Sequence, residues 1–133
     1  MTHLLDTNIC SAYVKRPGGL AHRFMQHVGG LAIPTIVLAE LYTWAFRRLQ
    51  PEHLLHVIEN DLVPDVRILD FDRVCARQFG EMRSTLLNTG VVVNPVDLMI
   101  AAVARTHDLV LVTHNVKHFE VIPGLQVEDW LAP

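Results

Sequence analysis

The run Leu109-Val110-Leu111-Val112 constrains the fold more than any other part of the sequence. Consecutive apolar residues of this kind, with β-branched valines among them, are typical of a strand that is buried on both faces of a parallel sheet. Parallel neighbours need long crossover connections, which are usually helices. Because short apolar runs alternate with segments of helical spacing, we predict an α/β fold. It is a single domain over residues 1–133, a three-layer α/β/α sandwich around a mainly parallel sheet.

The remaining elements are predicted from apolar spacing, capping residues and helix breakers. Strands are predicted at three further places, with an edge strand within residues 119–127: Thr2–Leu5, Leu31–Ile33 and Val66–Leu69. Helices are predicted to about Val14, over Leu20–Val28 and Ile36–Leu49, from Pro51 through Leu62, over Arg73–Asn88 and over Val96–His107. The expected N-caps are Thr7 or Asn8, then Thr35, Asp72 and Asn94, and a break is expected at Lys15–Gly19.

The composition fits a globular chain and excludes a disordered one, because 50% of the residues are hydrophobic and 19% are charged. The formal charge of −3 lacks the basic footprint that is usual for nucleic-acid binders. It does not exclude one, since a metal-loaded acidic site carries its own positive charge. The cysteines, Cys10 and Cys75, form no disulfide framework, so we expect a cytoplasmic setting. No signal peptide and no apolar run of about 18 residues is visible, so no membrane span is expected.

Three acidic residues occupy positions that stand out. Asp6 follows the first predicted strand, Glu40 lies within an apolar helix, and Asp97 lies in the first turn of the helix that Asn94-Pro95 opens. Each has an ordinary explanation: a helix cap for Asp6, the rim of a packed helix for Glu40, and compensation of the helix dipole for Asp97. On an apolar helix face, however, the Glu40 carboxylate costs free energy unless it is paired or binds a cation.

These acids are predicted to meet at one edge of the sheet. Asp6 and Asp97 lie at junctions on the side where parallel strands end, which is where open α/β sheets bind ligands. Glu40, about one and a half turns into its helix, reaches the same edge, as does Asn115 after the last buried strand. Oxygen ligands suit Mg²⁺ or Mn²⁺ rather than zinc, and a divalent ion relieves the repulsion between clustered carboxylates.

Four segments form a set that is specific in its order and spacing, although each is weak alone. They are Leu4–Asn8, Thr35–Leu41, Pro95–Ala102, and Thr113–Asn115 followed by Phe119, Pro123–Leu125 and Glu128–Trp130. Through this set, spread over the whole chain, the sequence resembles the PIN domain nucleases and, within them, the VapC toxins of bacterial toxin–antitoxin pairs.

The resemblance implies a metal-dependent endoribonuclease in which Asp6, Glu40 and Asp97 form an acidic triad. The fourth family position, often Asp, is filled by Asn115, which brings no charge. Glu120 is a nearby acid that can take its place, and the sequence leaves open whether one or two metals bind. The resemblance also implies a homodimer, a cognate antitoxin as partner, and an RNA substrate, often tRNA, cut to 5′-phosphate and 3′-hydroxyl ends.

In the chemistry that fits, Mg²⁺ holds the scissile phosphate, lowers the pKa of a bound water and stabilises the developing negative charge. Asp6 and Asp97 are assigned as direct metal ligands, and Glu40 as a ligand through water or the group that orients the attacking water. Asn115 positions water or phosphate. Hydrogen bonds that fix the carboxylates are expected from Thr7, Asn8, Asn94 and Thr113.

RNA contacts are expected from local cations rather than from the net charge. The candidates are Lys15-Arg16, His22-Arg23, Arg47-Arg48, Arg83 and Lys117-His118, of which the first and last follow closely on site segments. The aromatic residues Tyr42, Trp44 and Phe46 are interpreted as core or dimer surface. The apolar helices near Tyr13 and Tyr42 are candidates for a dimer seam or an antitoxin groove.

Other interpretations stay open at this point. Phosphoryl transfer through an aspartyl-phosphate at Asp6 is disfavoured, because that chemistry usually needs a second Asp where Asn8 stands, and a downstream lysine is missing. A zinc site at either histidine pair, His53–His56 or His114–His118, lacks further ligands at standard spacing. A non-catalytic PIN-like module that binds RNA or protein, or a housekeeping nuclease without an antitoxin, remains the alternative.

Overall fold

The computed structural model describes residues 1–132, in which strands and helices alternate along the chain. The strands are β1 (His3–Leu5), β2 (Leu31–Pro34), β3 (Arg67–Leu69), β4 (Val110–Val112) and β5 (Val127–Glu128). The helices are α1 (Thr7–Lys15), α2 (Pro17–Gln26), α3 (Thr35–Phe46), α4 (Glu52–Val57), α5 (Arg73–Asn88), α6 (Pro95–Thr106) and α7 (Val116–Phe119). A π-helical turn, Ile58–Leu62, and a 3-10 turn, Val63–Asp65, lead from α4 to β3.

The five strands form one sheet in the order β3-β2-β1-β4-β5, and every neighbouring pair is parallel. β1 lies at the centre, and its register with β4 places His3 beside Val110 and Leu5 beside Val112. The connections from β1 to β2 and from β2 to β3 cross the sheet in one direction, and that from β3 to β4 crosses in the other. Since such crossovers are right-handed, their helices cover opposite faces. The predicted three-layer α/β/α fold is confirmed, with a sheet that is entirely parallel.

The centre of the sheet is buried on both faces, as the apolar run at β4 predicts. Leu4 and Leu5 of β1, and Leu111 and Val112 of β4, are completely buried. Among the described residues, the buried polar or charged side chains are His3, Asp6 and Thr113. Since Asp6 and Thr113 directly follow β1 and β4, burial itself marks the edge of the sheet where these two strands end.

No helix within residues 1–132 is both long enough and apolar enough to cross a membrane.

Three helix starts differ from the prediction. Asp6, rather than Thr7 or Asn8, is the N-cap of α1, because its own side chain accepts a hydrogen bond from the Thr7 N–H. α3 already begins at Thr35, which was expected to be its cap, and it has no side-chain cap. α2 begins at Pro17, inside the predicted break, since proline suits the first turn of a helix.

The later elements follow the prediction more closely. Asp72 and Asn94 are confirmed as N-caps of α5 and α6, with side chains that accept hydrogen bonds from backbone N–H groups. The helix predicted through Leu62 is regular only to Val57 and continues as the π-helical turn. The edge strand expected within residues 119–127 is β5, which lies at the end of that region and pairs with β4.

Candidate active site

Asp6 is positioned by the pairing of β1 with β4. The register that sets Leu5 beside Val112 brings the next residues, Asp6 and Thr113, side by side at the end of the two strands. The Asp6 N–H donates to the Val112 carbonyl at 2.9 Å, which continues the sheet by one further hydrogen bond. The Asp6 side chain is therefore carried by the most rigid part of the fold.

Both oxygens of the Asp6 carboxylate accept hydrogen bonds. Oδ1 accepts from the Thr7 backbone N–H at 2.7 Å, and Oδ2 accepts from the Thr113 hydroxyl at 2.7 Å. Asp6 is only 5% exposed. A buried carboxylate held at both oxygens has a fixed orientation, and it retains lone pairs that can bind a cation.

Burial raises the pKa of Asp6 above its ordinary value of 3.8. The hydrogen bonds from Thr113 and Thr7 favour the charged form and offset part of this rise, whereas the negative charges of Asp97 and Glu40 raise the pKa further. The other two acids singled out in the sequence thus act electrostatically on Asp6. Their negative charges make the surroundings of Asp6 favourable for a bound cation.

Glu40 approaches Asp6 through a shared neighbour. Its Oε1 accepts a hydrogen bond from the Thr7 hydroxyl at 2.5 Å, while the Thr7 backbone N–H binds Asp6. Glu40 is exposed, so the expected cost of burying it on an apolar helix face does not arise. Solvent access instead leaves this carboxylate free to bind water or substrate.

Asp97 reaches the site from the first turn of α6. Asn94 caps this helix by accepting from the Val96 N–H at 2.8 Å, and Pro95 is its first residue. This capping bond uses Asn94 Oδ1, so the contact expected between the Asn94 amide N–H and a carboxylate stays a prediction. Asp97 Oδ2 lies 3.3 Å from His118 Nδ1, an exposed ring on α7 that the sequence did not assign to the acidic site.

A second network joins the ends of β1 and β4. The Asn8 amide donates to Thr113 Oγ1 at 3.4 Å, and Asn8 Oδ1 accepts from the His114 backbone N–H at 3.1 Å. The Asn115 N–H also donates to Thr113 Oγ1, at 3.0 Å. Thr113 therefore receives hydrogen bonds from both sides while it holds Asp6.

Asn115 begins α7 as its N-cap, and its side chain is exposed beside the network. Glu120 is exposed at the other end of α7. His114, from the same loop, pairs with Asp129 at 3.1 Å. The part of the site around Asn115 is thus built from a short helix and a loop, whereas Asp6 is carried by a strand.

The donor set fits a hard divalent cation, because it consists of carboxylate oxygens that repel one another. Within residues 1–132, no three His, Cys, Asp or Glu side chains are gathered closely enough to hold a metal ion by themselves. A cation held by these carboxylates would therefore need further ligands, such as water or substrate oxygens.

Comparisons with known proteins identify the relatives of this chain. The family model described as PIN domain matches residues 3–125. The chain is 39% identical over 128 residues, 96% of each protein, to a tRNA(fMet)-specific endonuclease VapC of Shigella flexneri. It is 36% identical to Ribonuclease VapC2 of Haemophilus influenzae over 98% of this chain and 99% of that protein. The solved structure of DNA-bound VapBC from Salmonella typhimurium superposes with a TM-score of 0.92 at 37% identity, covering 98% of both chains.

Proposed function

The chain belongs to the PIN domain family and, within it, to the VapC ribonucleases, and on that premise we propose that it is a metal-dependent endoribonuclease. It hydrolyses phosphodiester bonds of RNA and acts as the toxin of a toxin–antitoxin pair. One observation carries this proposal: the doubly hydrogen-bonded, buried Asp6 carboxylate lies in the electrostatic field of Asp97 and Glu40. The family supports the proposed reaction, and this arrangement of acids supports its proposed location at Asp6.

The cofactor is a divalent cation, and Mg²⁺ is the ion that the oxygen donors favour, with Mn²⁺ as a substitute. Asp6 and Asp97 would hold it directly, and Glu40 through water. Bound there, the ion would polarise the scissile phosphate and lower the pKa of a water molecule. Such an ion also offsets the repulsion that raises the Asp6 pKa.

The other side chains position the reacting groups. Thr113 and Thr7 fix the rotamer of Asp6 by their hydrogen bonds, and Thr7 also fixes Glu40. The exposed Glu40 carboxylate orients water on the solvent side of the site. Asn115, exposed at the start of α7, donates its amide to phosphate or water. No negative charge is added at that position, so the anionic substrate meets less repulsion there.

The partners follow from the relatives. The Shigella flexneri relative is named for its action on tRNA(fMet), and we propose tRNA as the substrate class of this chain as well. The Salmonella typhimurium neighbour is a VapBC complex, and we propose a cognate antitoxin that blocks the site and a homodimeric toxin in the cytoplasm. Phosphate contacts are assigned to Lys15, Arg16 and Lys117, which follow closely on site segments.

The test is cleavage of tRNA by the purified chain, free of antitoxin, with Mg²⁺ and with EDTA. We expect metal-dependent cleavage that falls by more than about 100-fold in Asp6→Asn and in Asp97→Asn, since even the partners of metal ligands contribute 10–100-fold. The matched control is Asp108→Asn. Asp108 lies before β4, at the opposite edge of the sheet, in a left-handed conformation (φ 53°) that asparagine also adopts. Equal cleavage by all variants would point to a contaminating nuclease and overturn the assignment.

A further inference from the structure

Trp44 lies beside the candidate active site. It is one turn beyond Glu40 on α3, so the two side chains are neighbours on the same helix face. The indole is half-buried, and two cations lie over its ring: Lys15 Nζ is 5.3 Å from the ring centroid, and the Arg48 guanidinium carbon is 5.5 Å from it. An aromatic ring is thus presented to solvent between basic groups that come from two separate parts of the chain.

Trp44 and Arg48 line an open cleft that adjoins the site through Glu40, and Lys15 approaches this cleft over the Trp44 ring. The cleft has a volume of about 550 Å³ and is lined by Glu40, Thr43, Trp44, Arg47 and Arg48. Glu40 belongs both to this cleft and to the hydrogen-bonded chain that leads through Thr7 to Asp6. A polymeric substrate whose scissile bond lies at Asp6 can therefore continue directly into the cleft.

The three cations around Trp44 form no close ion pair within residues 1–132, although the Glu40 carboxylate lines the same cleft. Among the described residues, no carboxylate oxygen lies within 4.0 Å of the side-chain nitrogens of Lys15, Arg47 or Arg48. Within residues 1–132, Arg105, 3.3 Å from Glu81, is the one Lys or Arg that forms such a pair, so the absence of a pair does not by itself distinguish this cluster. What distinguishes it is its composition: three cations and one carboxylate, that of Glu40, gathered around one aromatic ring in a chain of net charge −3. This local excess of positive charge favours an anionic partner.

We propose that Trp44 is a stacking platform for an unpaired base of the RNA substrate, next to the scissile phosphate, with Lys15, Arg47 and Arg48 binding the flanking phosphates. A positively charged groove with an aromatic ring is how proteins hold single-stranded nucleic acid, because every base has a π-face. The base takes the place of a cation over the ring, and that cation moves to a phosphate. This interpretation rests on the proposed ribonuclease function. The predicted core contact of Trp44 is confirmed, since the half-buried indole packs against the hydrophobic core, and the platform is the part of the ring that solvent reaches.

Binding without cleavage tests the platform directly. In EDTA, the affinity of the full chain for a fluorescein-labelled single-stranded octaribonucleotide is measured by fluorescence anisotropy. Trp44→Ala is expected to weaken binding about tenfold or more, the effect of one lost base–aromatic stack. Trp44→Phe keeps a ring and is expected to bind within about threefold of wild type. With Mg²⁺, Trp44→Ala is expected to raise KM for the same oligonucleotide and to leave kcat nearly unchanged.

Tryptophan fluorescence gives a second readout that does not require Trp44→Ala to fold. RNA is expected to quench the emission of wild type and not that of Trp44→Phe, although both bind. The remaining tryptophan, Trp130, is only 6% exposed and packs against Phe24 and His27, away from the cleft. Quenching of equal size in both proteins would overturn the platform.

The cations are tested by salt dependence. Arg48→Gln is expected to reduce the slope of log affinity against log salt by about 0.7, as for one lost phosphate contact to a single strand. The matched control is Arg77→Gln, since Arg77 is also an exposed helical arginine but lies on α5 and is not among the candidate RNA contacts. An unchanged slope in Arg48→Gln would contradict the proposal.

Failure of the platform and failure of the proposed function give different results. Circular dichroism first establishes that Trp44→Ala is folded. If this variant then binds RNA and cleaves tRNA as wild type does, the proposed stacking platform is wrong and the proposed ribonuclease function is supported. If RNA binding depends on Trp44 but no cleavage occurs with any divalent ion, the platform stands and the ribonuclease is wrong. If Trp44→Ala disrupts self-association and leaves RNA affinity unchanged, the cleft is a protein interface and the platform is wrong.

Discussion

The two sides of the candidate site are built in different ways. Asp6 stands at the end of the central strand, is 5% exposed, and accepts hydrogen bonds from Thr113 and Thr7 at both carboxylate oxygens. Asp97 stands in the first turn of α6, is half-buried, and has one side-chain partner in the structure, the exposed His118. We call these the strand side and the helix side.

This difference means that the strand side is preorganised for binding, whereas the helix side can adjust. On the strand side, the sheet fixes the backbone and the hydrogen bonds fix the rotamer, so Asp6 is ready to bind a cation without rearrangement. On the helix side, an exposed histidine can move away at little cost, since exposed ion pairs contribute little. Binding of metal and RNA should therefore change the helix side most and leave the strand side in place.

Among changes to the partners of the two aspartates, the largest effect is expected from Thr113→Val, which removes the donor to Asp6 and keeps the side-chain shape. The Asp6 carboxylate then has one unsatisfied oxygen, so we expect RNA cleavage to fall about 10–100-fold, as for lost partners of metal ligands. The free energy of unfolding should fall by about 1–3 kcal/mol. Both are measured against Thr113→Ser, which keeps the hydroxyl. Wild-type activity in Thr113→Val would show that the strand side is held by the backbone alone.

A second effect is on stability and depends on pH. The raised Asp6 pKa means that the folded chain holds this proton more tightly than the unfolded chain does. In EDTA, the free energy of unfolding should therefore fall as pH rises from the ordinary value of 3.8 through the raised pKa of the folded state. Asp6→Asn lacks this ionisation, so its stability relative to wild type should grow over that range. Denaturant titrations at several pH values measure the difference, and parallel curves for the two proteins would contradict it.

Asn115→Asp adds a carboxylate to the loop next to the helix side. This loop then carries a charged ligand, as the strand side does. We expect the Mg²⁺ concentration for half-maximal cleavage to fall by a few-fold, because affinity for hard cations follows the number of charged ligands. Without metal, the added charge should raise the pKa of Asp6 further. Isothermal titration with Mn²⁺ measures the affinity. An unchanged affinity would place Asn115 outside the metal site.

The smallest effect is expected from His118→Ala. If the helix side is adjustable, loss of the exposed partner of Asp97 should change stability by less than about 1 kcal/mol and cleavage by only a few-fold. Thermal unfolding and tRNA cleavage measure the two effects. A loss as large as that in Thr113→Val would show that Asp97 depends on His118 as strictly as Asp6 depends on Thr113, and the contrast between the two sides would disappear.

The sequence predicts much of the fold because its strands are apolar and its helix starts are polar. Leu109–Val112 indicates a parallel strand buried on both faces, and Asp72 and Asn94 cap helices where expected. The cap of α1 is missed by one residue, since Asp6, Thr7 and Asn8 are all good capping residues and local preference does not separate them. Only the register of β1 with β4 decides that Asp6 ends the strand.

The surroundings of the acids were harder to predict than the acids themselves. Which residues meet Asp97 depends on where α7 folds back, and nothing in the local sequence of His118 shows this. The bridge from Asn8 to the backbone of His114 spans 106 residues. Knowledge of the strand order would have predicted this bridge, because residues that follow paired parallel strands come together at one edge of the sheet.

The pairing of β1 with β4 also sets when the site can exist during synthesis. Asp6 and Thr113 are 107 residues apart, and β1 emerges from the ribosome long before its partner. The nascent chain can pair β1 with β2 and β2 with β3, but Asp6 lacks its buried hydrogen-bond donor until Thr113 has been made. Closure of so long a segment is intrinsically slow. A chain proposed to cut RNA thus cannot complete its cleavage site until the 107 residues that follow Asp6, up to Thr113, have been made.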